Sequence, residues 1–210
     1  MSLRSLSLIS LSVVALAIMV NATQAETPVK ANSQTNTMKS IVLAGGCFWC
    51  IESDYEKLDG IISVVSGYSG GHTENPTYEQ VSAGNSGHIE VVEVTYDPEI
   101  IKHTKVLDYF WHHIDPTRDD GQFCDRGPQY RPAIFYKNEM EKQAILQSAA
   151  HIEKTKSFKD PLKVEFIQAS TFYPAEDYHQ DYYKKSPLRY KYYRYACGRD
   201  ARVEELWGSK

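Results

Sequence analysis

The sequence predicts an α/β (α+β) fold: one domain in which a mixed β-sheet packs against helices as a two-layer sandwich. Three observations lead there. The chain has 210 residues, enough for one sizeable core and too few for two ordinary enzyme domains. Apolar residues make up 42% of it, so it can bury that core and is not compositionally disordered. Strand-like and helix-like segments then alternate along the chain, a pattern that calls for a sheet covered by helices.

Residues 1–25 stand apart from this pattern. Arg4 is the only charge before Glu26, residues 6–20 are apolar apart from serines, and the stretch ends at Ala25, a small residue suited to cleavage. A basic start, an apolar middle and a small-residue exit describe a secretory signal peptide. The apolar run is short for a membrane span, so an uncleaved N-terminal anchor is the weaker alternative. Export implies an oxidising compartment, either the periplasm or the exterior. Residues 26–38 are polar and without periodicity and read as a linker. The folded domain is then 39–210.

Within it, residues 40–44 (S-I-V-L-A) form a short apolar run ending at Gly45-Gly46, as a buried strand does. Phe48, Ile51, Tyr55 and Leu58 recur at helical spacing with Glu52, Asp54 and Glu56 between them. That is an amphipathic helix opening at Cys47 and ended by Gly60. Residues 61–68 read as a strand, followed by the turn-rich 69–76. In residues 88–96, Ile89, Val91 and Val94 alternate with acids, which gives a strand closed by Asp97-Pro98. Residues 104–113 read as a helix, 133–136 as a strand, 139–154 as a long helix, 163–168 as a strand and 175–185 as a helix. The order of the strands in the sheet is not readable.

The formal charge of −4 is of mixed sign, which is no electrostatic footprint for nucleic acid, and no basic amphipathic helix is present for membrane attachment once the signal is removed. The 15 tyrosines suit cores, grooves and polar pockets equally. Four cysteines, Cys47, Cys50, Cys124 and Cys197, must in an oxidising compartment be structural disulfides, metal ligands or redox groups. The stretch Gly45-Gly46-Cys47-Phe48-Trp49-Cys50 is the most informative. Two glycines let the backbone turn tightly, and Cys47 then sits where a helix begins. Unpaired N–H groups and the positive dipole end favour a thiolate there, and the thiolate is the nucleophile. Cys47 and Cys50 also form a C-x-x-C, which permits a thioredoxin-like disulfide oxidoreductase. Against that reading, the motif follows the first strand of the domain and leaves no room for a preceding βα unit. A closed four-cysteine metal site would need a second C-x-x-C, which is absent from the sequence.

The G-C-F-W at residues 46–49 resembles the signature of the A-type peptide methionine sulfoxide reductases. Successive blocks also resemble that family, in order: G-Y-S-G-G at 67–71, N-P-T-Y-E-Q-V at 75–81, G-H-I-E-V at 87–91, Y-D-P at 96–98, D-R-G-P-Q-Y-R at 125–131 and F-Y-P-A-E-D-Y-H-Q at 172–180. The resemblance implies reduction of the S epimer of methionine sulfoxide in peptides and proteins, with no metal or organic cofactor. It implies Cys47 as nucleophile and Glu90 as the acid that protonates the sulfoxide oxygen. Glu90 lies in the apolar run I-E-V-V, where burial would raise a carboxyl pKa. Tyr78 and Tyr130 match hydroxyl donors to that oxygen, Phe48 and Trp49 would hold the substrate methyl group, and Asp125 would order the pocket. The attack leaves Cys47 as a sulfenic acid, which a second thiol must convert to a disulfide. Cys197 is the best match for this resolving cysteine, with Cys50 and Cys124 as rivals. An external dithiol protein of thioredoxin type would complete the cycle, with the enzyme acting as a monomer. Other suggestive residues carry plainer readings. His112 and His113 are adjacent and point to different faces of a helix. Glu176 and His179 have the i, i+3 spacing of a helical metal pair, but the second pair is missing and they read as scaffold.

Overall fold

The computed structural model describes residues 37–208. The expected signal peptide and most of the expected linker lie outside these residues. The elements are β1 (Lys39–Ala44), α1 (Phe48–Tyr55), β2 (Ile61–Ser69), α2 (Tyr78–Ser82), β3 (Ile89–Tyr96), α3 (His103–Trp111), β4 (Gly121–Gln122), β5 (Asp125–Arg126), β6 (Ala133–Tyr136), α4 (Glu139–Thr155), β7 (Glu165–Gln168), β8 (Tyr173–Pro174), α5 (Tyr182–Lys185), α6 (Pro187–Ala196) and α7 (Arg199–Trp207). Six strands form one sheet in the order β7-β6-β1-β3-β2-β8, and β4 pairs with β5 in a separate hairpin. The sheet is mixed: β6 and β7 run parallel and the other pairs antiparallel.

One face of the sheet carries the main core. Ile41, Leu43, Val64, Val92, Val94 and Ile134 meet Phe48, Ile51 and Tyr55 of α1, Leu107, Phe110 and Trp111 of α3, and Ile145 and Ile152 of α4. Burying each of these large side chains contributes about 1.5–3 kcal/mol. The opposite face holds a smaller cluster, Val42, Ala44, Ile89, Val91, Ala133 and Phe135, covered by Ile167, Ala169 and Phe172 rather than by helices. This corrects the alternation read in β3. Its apolar residues Ile89 and Val91 face the smaller cluster, whereas Glu90 shares a face with Val92 and Val94 and is buried at 2% exposure. Both faces are covered, so the acid points into the protein.

Local signals fix the elements around the site. The Thr77 hydroxyl accepts from the Gln80 N–H and the Gln80 side chain accepts from the Thr77 N–H, a capping box that starts α2. This short helix was not read from the sequence. Asn138 caps α4, and Pro187 occupies the first turn of α6, where its missing N–H costs nothing. Residues 175–185 are not one helix as expected. Only Tyr182–Lys185 is helical, because the preceding segment docks on the sheet edge. The Ala175 N–H donates to the Ser66 carbonyl at 2.9 Å, and the Gln180 side chain accepts from the Ser66 N–H at 2.9 Å and donates to its carbonyl at 2.8 Å. These bonds outcompete the helical ladder. At the other end, α7 is pinned to the first turn of the domain. Arg199, 2% exposed, donates to the Gly45 carbonyl at 3.1 Å and to the His113 carbonyl at 2.8 Å, and its guanidinium lies 3.8 Å from the Asp54 carboxylate. Among the described residues no helix is long and apolar enough to cross a membrane.

Candidate active site

The site is built on the turn between β1 and α1. Gly46 has φ +83°, and a Cβ there would sit 2.6 Å from the Cβ of Gln122. Gln122 cannot yield, since its amide is held by the Asp115 N–H at 2.9 Å and by the Asp115 carbonyl at 2.7 Å. Glycine is therefore required by conformation and by space. Cys47 follows as the N-cap of α1, with non-helical backbone angles and 6% exposure. Two carboxyl groups meet the start of the helix. The Phe48 N–H donates to Glu90 at 3.1 Å, and the Cys47 N–H faces Asp125. Two of the donors at the start of the helix are thus taken up by acids from β3 and β5.

Burial dominates the electrostatics. It pushes Glu90 up to about 8, against the opposing pull of the Phe48 N–H and with help from Asp125 and Cys50. Burial also raises Asp125, whose carboxyl accepts from the Tyr193 hydroxyl at 2.6 Å. Burial, the Cys50 sulfur and the two acids together hold the Cys47 thiol well above the ordinary range. Cys50 is drawn down by the hydrogen bond from Cys47 and by Arg199 and Arg194. This differs from the thiolate expected at a helix start. An N-terminus contributes about half a positive charge, which does not outweigh desolvation beside two acids. Free Cys47 is therefore a thiol that touches a more acidic neighbour.

The tyrosines and aromatics expected around the sulfur converge there. Tyr78, at the start of α2, has its hydroxyl pushed up to about 12 by burial and by Glu90 and Cys47, and it accepts a hydrogen bond from Tyr130. Burial next to Glu90 and Tyr78 raises Tyr130 further. Both hydroxyls remain donors throughout the physiological range. Phe48 is fully buried, and Trp49 is locked on three sides. It stacks on Tyr182 with ring centroids 3.8 Å apart, meets Tyr193 edge-on at 5.8 Å and donates its indole N–H to His179 Nδ1 at 3.0 Å. Glu176 ties Tyr68 to the start of α2, accepting from the Tyr68 hydroxyl at 2.8 Å and the Tyr78 N–H at 2.9 Å. Glu176 and His179 thus hold other side chains in place, as their scaffold reading expected. His112 and His113 each bond a carbonyl one turn back.

The cysteines divide into two pairs. Cys47 and Cys50 are free and buried, whereas Cys124 and Cys197 are joined by a disulfide with Cα atoms 4.9 Å apart. Cys197, the expected partner of Cys47, is here bonded to one of its rivals, while the other rival, Cys50, is in contact with Cys47. Cys124, Asp125 and Cys197 place potential ligand atoms within 4.8 Å of one another, as do Glu52, Glu56 and Asp181. The first set offers no thiolate while its sulfurs are bonded. Sequence reading missed Tyr193, Arg194 and Arg199. No local signal marks them, because they reach the site only through the packing of α6 and α7.

A buried nucleophilic sulfur, a protonated carboxyl, two hydroxyl donors and a wall of aromatic rings suit a substrate with an acceptor oxygen and a small apolar group. Residues 39–210 match the family model "Peptide methionine sulfoxide reductase". The chain is 54% identical over 187 residues to "Peptide methionine sulfoxide reductase MsrA/MsrB" of Vibrio cholerae, covering 89% of this chain and half of that longer protein. It is 47% identical over 167 residues to "Peptide methionine sulfoxide reductase MsrA" of Bacillus licheniformis, covering 80% of this chain and 92% of the relative. Its fold resembles that of reduced Mxr1 from Saccharomyces cerevisiae, with a TM-score of 0.67 and 30% identity over 71% of this chain and 86% of the yeast one. The chain belongs to the peptide methionine sulfoxide reductase family.

Proposed function

We propose that this protein reduces the S epimer of methionine sulfoxide in peptides and proteins, through Cys47, Glu90, Tyr78 and Tyr130. The Cys47 sulfur attacks the sulfoxide sulfur, and its thiol proton replaces the one that Glu90 gives up. Glu90 gives its proton to the oxygen as the S–O bond polarises, and the Tyr78 and Tyr130 hydroxyls stabilise the charge developing there. The oxygen passes to Cys47 as a sulfenic acid, and the thioether leaves. Phe48 and Trp49 enclose the methyl group, and Asp125 fixes the Cys47 backbone. The Cys50 thiol, already in contact with Cys47, condenses with the sulfenic acid to give a disulfide and water. A dithiol protein of thioredoxin type restores the thiols.

The observation that carries this reading is Glu90, buried and held at 3.1 Å by the amide next to Cys47, with a pKa of about 8. The contact between Cys47 and Cys50 favours a second reading, general disulfide exchange. That chemistry has no oxygen to protonate and leaves Glu90, Tyr78 and Tyr130 without a role. The test is reduction of a peptide carrying one defined sulfoxide epimer, followed by mass spectrometry. The S epimer should be converted and the R epimer left, and Cys47→Ser should lose even a single turnover. Comparable rates on both epimers would sink the assignment. Residues 1–25 support export to the periplasm or exterior, where the reductant must also be delivered. Edman sequencing of the exported protein, expected to begin at Glu26, tests that placement.

A further inference from the structure

We propose that this chain is among its own substrates: Met38 and Met140 take up oxygen from peroxides at the surface, and Cys47 of a second copy returns them to thioethers. The proposal rests on the reductase reading above and names a substrate within the sequence itself. Methionine ranks with leucine and phenylalanine among the residues most often buried. Here the described residues hold two methionines, and both lie at the surface, Met38 at 41% and Met140 at 84% exposure. The core is built from aliphatic and aromatic side chains without methionine. Oxidation of these thioethers therefore leaves the packing intact, and each sulfoxide stands where another protein can reach it.

Both methionines sit at the end of the sheet remote from the active site. Met38 precedes Lys39, the first residue of β1, and Met140 lies in the first turn of α4. Lys137 joins the two places, donating through Nζ to the Ser40 hydroxyl at 2.6 Å and to the Ser40 carbonyl at 3.0 Å. Cys47 lies beyond the opposite end of β1. Six residues of strand stand between, roughly 20 Å at about 3.3 Å per residue. A methionine side chain does not span that distance, so neither sulfur meets the Cys47 of its own chain. The way is open for presentation to another copy. Asn138 starts the Met140 helix by accepting from the Glu141 N–H at 3.0 Å, and the Met140 side chain projects from the fold.

The cycle balances in atoms and electrons. The thioether sulfur attacks one oxygen of hydrogen peroxide, the O–O bond breaks, and water leaves. The sulfur keeps the oxygen and is oxidised by two electrons. In the second copy that oxygen passes to Cys47 as a sulfenic acid, and the thioether is released. A second thiol condenses with the sulfenic acid to give a disulfide and water. A protein dithiol then supplies two electrons and two protons and restores the thiols. One peroxide and one dithiol have become two waters and one disulfide. The chain thus consumes oxidant where no other substrate is present. Peroxide forms both epimers at sulfur, and this site returns only the S form, so the capacity falls as R sulfoxide accumulates.

The test uses Cys47→Ser, labelled with a heavy nitrogen isotope, as the substrate chain. It is oxidised with hydrogen peroxide until Met38 and Met140 each carry one added oxygen, then desalted. A catalytic amount of unlabelled wild-type chain is added with dithiothreitol and a peptide (S)-sulfoxide as internal standard, and the mixture is mapped by mass spectrometry. The sulfoxide at both positions should fall to about half, the S fraction, and should stay unchanged without wild-type chain. Unchanged sulfoxides beside a converted standard would overturn the proposal and leave the reductase reading standing. An unconverted standard would overturn both. A measurement on the wild-type chain alone guards against a variant that fails to fold. Treated with peroxide and then with excess dithiothreitol, it should lose its own sulfoxides about tenfold faster at about tenfold higher protein concentration, since two copies must meet. A rate independent of concentration would place the repair within one chain and overturn the proposal.

Discussion

Replacing Glu90 by Gln keeps the size of the side chain and an acceptor for the Phe48 N–H, but removes the proton. With its pKa near 8, Glu90 is about nine-tenths protonated at pH 7, whereas an ordinary glutamate is protonated in under about one molecule in a hundred. A positioned acid is worth about 10²–10⁴-fold, so Glu90→Gln should slow the reductive step by roughly a hundredfold or more. Rapid-quench measurement of methionine released in a single turnover isolates that step from recycling. The wild-type rate should fall as pH rises through about 8, and the variant should lack that limb. Stability should also fall as pH rises. The folded pKa lies above the unfolded value of about 4.3, so the contribution is fully present below that value and is lost as pH rises toward 8. At pH 7 the loss is about 3.5 kcal/mol, which the neutral amide does not suffer, so the variant should resist urea better than wild type at pH 8. A variant with full single-turnover activity at pH 7 would show that the proton comes from another group.

Two further outcomes follow from the same geometry. Tyr78→Phe and Tyr130→Phe each remove one of two donors to the oxygen. Each should cost about tenfold in the single-turnover rate and the double variant roughly a hundredfold or more, and a double variant at the wild-type rate would place the oxygen elsewhere. Arg199→Met leaves the Gly45 and His113 carbonyls without their donor, while Asp54 keeps Arg194 at 2.8 Å. It should lower unfolding free energy by about 2–4 kcal/mol in urea titration, and a change under about 1 kcal/mol would show that the contacts are incidental.

The parts of the fold that were legible from sequence are those with local causes. The apolar run into Gly45-Gly46, the helix after it and the long helix opening at Asn138 each carry their signal within a few residues. Strand order carries none, because β1 is flanked by β3 and β6, whose paired residues lie 49 and more positions away in sequence. The segment 175–181 misled for a related reason: its helix-like composition is overruled by bonds to Ser66, 109 and more residues earlier. In the site, Cys47 was legible from the Gly-Gly turn. Glu90, Tyr78, Tyr130 and Asp125 were legible only through ordered resemblance, since nothing local separates Glu90 from an outward-facing strand glutamate. The grouping of the four cysteines was not legible at all, because the Cys124–Cys197 bond spans 73 residues.

The groups facing Cys47 have one property in common. Burial raises Glu90, Asp125, Tyr78, Tyr130, Tyr193 and Cys47 itself, so at neutral pH Glu90 and the three phenols present protons rather than charge. A sulfoxide oxygen can only accept, so it satisfies donors of this kind without bringing in a charge that the buried site would have to solvate. The thioether formed by the reaction has lost that oxygen, and its sulfur is a weak acceptor. The donors stay with that oxygen, now on Cys47, so the hydrogen bonds that held the substrate, about 0.5–1.5 kcal/mol each, no longer hold the thioether. With the proposed roles, the arrangement that polarises the S–O bond would therefore also discriminate substrate from product. Affinity falls as the oxygen moves to Cys47, and the repaired side chain, sharing only the aromatic wall, is free to leave.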